Sequence, residues 1–216
     1  GIFTKPIVVC NACISGLSAL ILASRLLKAG KYDYAVVCGC DCPDRFIISG
    51  FQSLKALSSE PCRPFDMERL GLNLGEAAAT ILLSREVPQR QTGNIWHISH
   101  GFIRNDAFHI SAPSKTSDGL YKALKETCSG VDKEKLAFVN AHGTATLFND
   151  QMESIAIQRA GLADIPINAL KGYFGHTLGA AGVLETILSM KAVDNHTIIG
   201  TRGYQEAGVS GKVDIS

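Results

Sequence analysis

The alternation of apolar stretches with longer helical patterns is the feature that most constrains the fold. Stretches typical of strands fall at residues 7–9, 34–39, 77–83, 96–103, 136–140 and 165–170. Helical patterns cover residues 17–27, 50–57, 116–129, 150–160 and 182–193, and a weak strand signal follows residue 195. Because strands and helices take turns along the chain, the sequence predicts a layered α/β fold with parallel strand pairing.

A cysteine lies at the turn between the first predicted strand and the first predicted helix. Small residues surround Cys13, and apolar positions then recur at helical spacing as far as Gly30. A thiol at a helix N-terminus lies near unpaired N–H groups and the positive end of the helix dipole, which favours the thiolate. The pattern therefore predicts a nucleophile at Cys13, with a packing role in the core as the alternative.

Two histidines follow predicted strands much later in the chain. His142 comes directly after residues 136–140, and His176 follows residues 165–170 across a short glycine-containing segment. Since α/β proteins bind ligands beyond the ends of strands, both histidines are candidates for a site. A nucleophile and two such histidines predict catalysis, and the alternative for each histidine is a structural role in its loop.

The composition excludes several classes of protein. Of the 216 residues, 46% are hydrophobic and 19% are charged, as in globular proteins rather than disordered or coiled-coil chains. A net charge of +1 gives no general attraction to nucleic acid or to an anionic membrane. No apolar stretch reaches membrane-spanning length, and the sequence from Gly1 has no signal-peptide pattern. These features predict a cytoplasmic protein.

The seven cysteines do not form the spaced framework of a small secreted domain. Cys38, Cys40 and Cys42 alternate along the end of a predicted strand, so their side chains should share one face. They lack the paired Cys-x-x-Cys spacing of common zinc sites. We therefore predict reduced, mostly structural thiols and no metal site.

Six groups of residues, spread over nearly the whole chain, form an ordered set. They are residues 11–16, 51–58, 63–66 with 69–71, 106–109, 141–146 and 171–182. In this order they resemble the motifs of elongating β-ketoacyl-acyl carrier protein synthases, which are condensing enzymes of the thiolase-like superfamily. The resemblance implies a thiolase-like layered αβαβα fold that is incomplete at both ends. Residues 1–110 would end its N-terminal half, and residues 111–216 would begin its C-terminal half.

The same resemblance implies a 3-oxoacyl synthase reaction in two stages. Cys13 takes an acyl chain from the thioester of an acyl carrier protein. Malonyl carrier protein then loses carbon dioxide, and its enolate attacks the acyl thioester on Cys13 to give the 3-oxoacyl product. His142 and His176 would donate two N–H groups to the enolate oxygen, and Lys171 would help to keep both imidazoles neutral.

Four residues are implied to bind the substrate. Thr144 and Thr146 would hydrogen-bond the phosphopantetheine arm, although stabilisation of their own turn is an alternative. His109 and Ser111 would line the cleft near the malonyl group.

Two charged residues complete the implied set. Glu153 would support the first histidine, or would close a capping box that Asp150 opens at the start of a helix. Lys55 would meet the acidic carrier protein.

The resemblance also implies partners and a metabolic setting. No resident cofactor is expected, because phosphopantetheine arrives on the acyl carrier protein. The family suggests a homodimer, or a heterodimer with a ketosynthase-like partner, in fatty-acid or polyketide-like synthesis. The family's glycine-rich C-terminal loop, which completes the oxyanion hole, has no counterpart up to residue 216, so we expect this chain alone to be inactive.

Two other functions stay open. A non-catalytic partner subunit that sets chain length would commonly lack the nucleophile that Cys13 provides. A thiolase-type acyltransferase would need a late catalytic cysteine, whereas the last cysteine here is Cys128, inside a predicted helix. His176 favours the elongating synthases, because the chain-initiating class has asparagine in that role.

Overall fold

The computed structural model describes residues 6–87, 89, 93–109 and 113–216. Within them, six α-helices and five β-strands follow one another as α1 Ser15–Lys28, β1 Tyr34–Asp41, α2 Arg45–Ser53, β2 Ala77–Ser84, α3 Asp118–Thr127, β3 Val139–Asn140, α4 Leu147–Arg159, β4 Pro166–Asn168, α5 Lys171–Phe174, α6 Ala181–Asp194 and β5 Asp214–Ile215. Short 3-10 turns lie at Lys133–Lys135 and Leu178–Ala180. The predicted alternation of helices and strands is confirmed.

The first sheet corrects the prediction of parallel pairing. β1 and β2 run antiparallel, with Tyr34 opposite Ser84 and Asp41 opposite Ala77. A parallel pair needs a crossover that covers the sheet, usually a helix. The only α-helix between these strands is α2, which has no buried residue and therefore does not serve as that cover.

The second sheet is parallel, as the alternation predicts. Its strand order is β3-β4-β5, with Val139 opposite Ile167 and Ile167 opposite Ile215. The connection after β3 contains His142, and the connection after β4 contains His176. The chain therefore leaves both strands toward the same region.

Helices α1 and α6 pack together and against the first sheet. Leu20 and Ala23 of α1, Val37 of β1 and Val183 of α6 form one buried cluster. The spacing of apolar residues in α1 explains this, because residues three and four apart share one face of a helix. A helix from the late part of the chain thus covers a sheet from the early part.

A second buried cluster also joins the early and late parts of the chain, but here a residue of the early part packs among residues of the late part. Phe65 has no exposed surface and packs among Ile157, Leu162, Ile167 and Ala169. The parts before and after residue 110 therefore share both clusters. The domain division at that residue stays a prediction.

Three local predictions are wrong. Residues 96–103 are irregular rather than a strand. Residues 7–9 have no strand partner within the described part of the chain, and Val8 is 87% exposed. Helix α4 begins at Leu147 after Thr146, so Asp150 lies inside the helix and cannot open a capping box.

Among the described residues, no helix combines the length and the apolar character needed to cross a membrane.

Candidate active site

Cys13 lies directly before Ile14, the residue that caps the N-terminus of α1. The preceding turn is fixed by Ser15, whose hydroxyl donates to the Ala12 carbonyl at 2.6 Å and accepts from the Asn11 N–H at 2.8 Å. Ala12 has a left-handed backbone conformation, with φ of 47°. The predicted turn into a helix is therefore present, and it presents a partly buried thiol.

Burial raises the pKa of the Cys13 thiol, and the charge of Lys171 only partly opposes this effect. The helix N-terminus alone would favour the thiolate, but removing the charged sulfur from water costs more. Burial therefore outweighs the preference for the thiolate that the helix N-terminus provides. Cys13 is a neutral thiol near pH 7.

The peptide groups on both sides of His142 are fixed by two ionisable side chains. Its N–H donates to Glu153 Oε1 at 2.7 Å, and its carbonyl accepts from Lys171 Nζ at 2.6 Å. Gly143 N–H donates to the other Glu153 oxygen at 2.8 Å. Glu153 therefore supports the loop through its backbone, which a position inside α4 allows and a capping role does not.

His176 is 1% exposed, and its two ring nitrogens have different surroundings. Nδ1 accepts a hydrogen bond from the Leu178 N–H at 3.2 Å. A neutral imidazole that accepts at Nδ1 carries its proton on Nε2. This Nε2 is buried without a hydrogen-bond partner among the described residues. The ring therefore offers an unused N–H donor.

The thiol and the two imidazoles converge. The Cys13 sulfur and ring nitrogens of His142 and His176 all lie within 4.8 Å of one another. The two rings meet edge to face, with centroids 5.1 Å apart and planes at 84°. Cysteine and histidine are also zinc ligands, but a ligand must present a lone pair, whereas Nε2 of His176 presents a proton. The Nε2–H tautomer of His176 can therefore donate to an oxyanion, whereas this nitrogen cannot bind a metal.

Lys171 is 1% exposed, and its charge acts on Cys13 and on both histidines. Its Nζ is paired with Glu185 Oε1 at 2.8 Å, in addition to the bond with the His142 carbonyl. Burial, followed by the Lys171 charge, lowers the pKa of His176 to about 3. The same two causes hold the pKa of His142 well below its usual value. Both imidazoles are therefore neutral near pH 7.

The two threonines lie in the turn before α4. The hydroxyl oxygens of Thr144 and Thr146 are 3.0 Å apart, and Asn149 Nδ2 donates to Thr144 Oγ1 at 3.2 Å. The Thr144 N–H donates to Asp150 Oδ1 at 2.9 Å. These bonds show a stabilising role in the turn. A contact with phosphopantetheine stays a prediction.

The remaining predicted site residues lie outside the buried group. Lys55 is exposed just beyond α2, in the left-handed region with φ of 52°. His109 is exposed in the irregular segment before α3. Ser111 falls outside the described residues. The predicted roles of these three residues stay predictions.

Two buried carboxylates were missed as parts of the site. Glu185, within α6, pairs with Lys171, and Asp150, within α4, accepts from the N–H groups of Phe65 and Thr144. An acidic residue on the buried face of a helix is expected to have a partner. That signal exists in the sequence, but choosing the partner requires the fold.

Two models of known protein families match this chain. The model of the β-ketoacyl synthase N-terminal domain matches residues 5–88, and the model of the C-terminal domain matches residues 97–205. The chain belongs to the β-ketoacyl synthase family. The predicted resemblance is thereby confirmed.

Known proteins resemble this chain both in sequence and in structure. A 3-oxoacyl-[acyl-carrier-protein] synthase 2 of Rhizobium meliloti (strain 1021) is 33% identical over 96% of this chain and 52% of the relative. A ketosynthase solved in complex with its chain length factor, from Xenorhabdus doucetiae, is 33% identical with a TM-score of 0.80 over 95% of this chain and 51% of that chain.

A second solved structure contains a type II PKS acyl-carrier protein in complex with its ketosynthase bound to the hexaketide. It is 26% identical, with a TM-score of 0.87 over 96% of this chain and 54% of that chain. These ketosynthases confirm the thiolase-like layered fold. The chain spans about half the length of the relatives that it matches.

Proposed function

We propose that this chain carries the nucleophile and the two imidazole donors of a 3-oxoacyl-[acyl-carrier-protein] synthase. The observation that carries the proposal is the convergence of the Cys13 sulfur with the ring nitrogens of His142 and His176 within 4.8 Å. A buried donor without a partner costs about 1–3 kcal/mol, so the free Nε2–H of His176 favours binding of an acceptor. The oxygen of an enolate is such an acceptor.

In the first stage, the Cys13 sulfur attacks the carbonyl carbon of an acyl thioester. A bond forms between this carbon and the Cys13 sulfur, and the bond to the phosphopantetheine sulfur breaks. The Cys13 proton ends on the departing phosphopantetheine thiol, so charge is balanced. Because burial raises the pKa of Cys13, the proton leaves during the reaction rather than before it.

In the second stage, the bond between the malonyl carbon and its carboxylate breaks, and carbon dioxide leaves. The electron pair of the broken bond stays on the malonyl thioester, which becomes an enolate. The negative enolate oxygen accepts hydrogen bonds from the N–H groups of His142 and His176. Preorganised donors of this kind stabilise developing charge strongly in a buried site. The enolate carbon then bonds to the acyl carbon, and Cys13 leaves as a thiolate that regains a proton from water.

A neutral imidazole suits this stage because its protonated nitrogen donates a hydrogen bond while the ring as a whole carries no charge. Burial and the adjacent Lys171 charge keep the pKa values of both rings low. Lys171 in turn depends on Glu185 and the His142 carbonyl for its burial. The cation therefore acts through the protonation state of the donors.

The named relatives support the proposed partners. One solved neighbour is a complex with an acyl-carrier protein, and another is a complex with a chain length factor. We therefore propose acyl carrier protein as the substrate carrier, with Lys55 at its docking surface. A homodimer or a ketosynthase-like heterodimer, the absence of a resident cofactor, a cytoplasmic location and a fatty-acid or polyketide-like pathway belong to the same proposal.

Mass spectrometry after exposure to an acyl-thioester donor tests the nucleophile. This chain and the full product of its gene would be compared, each with a Cys13→Ala variant and a Cys128→Ala control at another partly buried thiol. We expect a single acyl adduct on the full product that Cys13→Ala removes and Cys128→Ala retains. Adducts spread over several cysteines would contradict the proposal.

The absence of any adduct on the full product would favour the non-catalytic chain-length subunit. That candidate is kept because a chain length factor accompanies one similar ketosynthase. A full product that condenses coenzyme A esters without releasing carbon dioxide would favour the thiolase-type alternative.

A further inference from the structure

We propose that Asp41 is a positioning residue that fixes the 3-10 turn Leu178–Ala180 and, through that turn, the tautomer of His176. The catalytic consequence rests on the proposed synthase function, whereas the structural part does not. Asp41 ends β1 in the early part of the chain, far in sequence from both histidines. Four observations support the assignment.

First, two successive N–H groups of the turn have side-chain acceptors from different parts of the chain. Leu178 N–H donates to His176 Nδ1 at 3.2 Å, and Gly179 N–H donates to Asp41 Oδ2 at 3.0 Å. The direction of the Leu178 N–H therefore depends on a peptide geometry that Asp41 fixes one residue later.

Second, the turn has an unfavourable backbone conformation that its surroundings must maintain. Leu178 lies in the left-handed region, with φ of 49°. That region is unfavourable for a residue with a Cβ atom, so loss of a restraint allows the turn to relax. The bond to Asp41 is such a restraint.

Third, the turn is packed closely between α1 and β1. A Cβ atom on Gly16 would lie 2.7 Å from the Gly179 carbonyl oxygen, and one on Gly39 would lie 3.2 Å from the Ala180 Cα. A Cβ atom on Gly179 itself would lie 3.2 Å from Asp41 Oδ2, so the carboxylate lies directly against the turn. The Asp41 carboxylate also accepts the N–H of Gly179, two residues before α6 begins, where the helix dipole favours an anion.

Fourth, the charge of Asp41 is the wrong sign for activation of the nucleophile. Asp41 raises the pKa of Cys13 and so opposes formation of the thiolate. Activation of Cys13 therefore does not explain a carboxylate at this position, whereas a hydrogen-bond acceptor for Gly179 does.

The test compares Asp41→Ala, Asp41→Asn and a control, Asp44→Ala, all made in the full product of the gene, because this chain alone is expected to be inactive. Asp44 is a matched carboxylate, because it accepts the Ile47 N–H at 2.9 Å at the start of α2 and lies outside the site. Nitrogen-15 NMR of the His176 ring reports the tautomer, and release of carbon dioxide from malonyl carrier protein reports the reaction.

We expect Asp41→Ala to abolish the dominance of the Nε2–H tautomer and to slow decarboxylation by about tenfold to a hundredfold, as for other displaced catalytic groups. Asp41→Asn keeps an acceptor oxygen and should remain within about twofold of the parent in both measurements, a change too small to indicate a lost hydrogen bond. Asp44→Ala should leave the tautomer unchanged.

Unchanged NMR signals and rate in Asp41→Ala would overturn the proposal, as would an Asp41→Asn variant as impaired as the alanine variant. If Asp41→Ala does not fold, Asp41→Glu provides the test, because glutamate keeps the charge but displaces the carboxylate. Retention of the parent His176 tautomer in Asp41→Glu would also overturn the proposal. A protein that releases no carbon dioxide but changes tautomer in Asp41→Ala would refute the synthase function and leave the positioning role supported.

Discussion

At the scale of single residues, the site depends on charge that is buried in pairs. The side chains of Lys171 and Glu185 are 1% and 8% exposed, respectively, with 2.8 Å between Nζ and Oε1. A buried charge that loses its partner is strongly unfavourable, whereas an apolar pair of similar volume can replace both charges. The pair therefore matters both to folding and to the neutrality of the histidines.

Replacing Lys171 with Met should lower the free energy of unfolding by about 3–5 kcal/mol, because Glu185 is left buried without its cation. The double variant Lys171→Met with Glu185→Leu should regain most of this loss. Urea unfolding of both variants measures the difference. The control Lys212→Met removes the exposed pair with Asp164 and should cost at most about 1 kcal/mol.

A second residue-scale prediction concerns Glu153, whose pKa burial raises from 4.5 to about 7. A carboxyl group whose pKa is raised in the folded state contributes stability below its unfolded pKa and loses it as pH rises through the folded value. The free energy of unfolding should therefore fall by about 2 kcal/mol from this group between about pH 5 and pH 8.

Glu153→Gln provides the comparison for that pH dependence. Glutamine stays uncharged, so the variant should lack this contribution to the pH dependence of the free energy of unfolding. Any loss of stability where its amide group faces the N–H groups of His142 and Gly143 is a constant amount that does not change with pH. Chemical denaturation at several pH values measures both proteins. Parallel curves for parent and variant would show that Glu153 does not titrate in this range.

At the scale of elements, the position of Cys13, the proposed nucleophile, depends on the contact between α1 and α6. A Cβ atom on Gly182 of α6 would lie 2.5 Å from the Leu17 backbone nitrogen of α1. Only glycine allows backbones to approach so closely. The position of Cys13 relative to His176 therefore depends on a helix crossing that one small residue permits.

Gly182→Ala should destabilise the protein by about 1–3 kcal/mol through overpacking and should slow acylation of Cys13. Gly50→Ala is the matched control, because it lies in helix α2 with nothing within 4 Å of an added Cβ. There the greater helix propensity of alanine should stabilise the protein by up to about 1 kcal/mol. Thermal unfolding and alkylation of Cys13 measure the two effects, and equal behaviour of the variants would contradict the close crossing.

At the scale of the whole molecule, the early and late parts of the chain share their buried clusters. Phe65 packs among residues of α4 and β4, and its N–H donates to Asp150 at 2.8 Å. Val183 of α6 packs in return among residues of α1 and β1. Neither part therefore buries its own apolar surface without the other.

Phe65→Ala should lower the free energy of unfolding by about 3–5 kcal/mol, the range for a large buried side chain. Because the clusters are shared, unfolding should stay one transition, with far-ultraviolet circular dichroism and Cys13 reactivity changing together. Leu82→Ala, at a side chain that is 66% exposed, is the control and should change little. Two separated transitions would show that the parts before and after residue 110 fold independently.

Local patterns in the sequence were sufficient to predict most helices and strands and to indicate the candidate reacting groups. Helical spacing predicted α1, α3 and α6, and apolar stretches predicted β1 and β2, because side-chain periodicity follows from local geometry. Ordered motifs pointed to Cys13, His142 and His176, and the structure brings these three together. The same patterns failed at residues 96–103, where a suitable alternation has no partner strand among the described residues.

Only the tertiary structure decided pairing direction, burial and protonation. The antiparallel pairing of β1 and β2, the partners of Asp150 and Glu185, and the position of Asp41 against the turn after His176 join residues that are distant in sequence. The raised pKa of Cys13 and the low pKa of His176 arise from desolvation, which depends on all the atoms packed around a group. The sequence by itself indicated which groups are candidates to react, and the folded structure determined the charge that each one carries, because charge in a buried site is set by its surroundings.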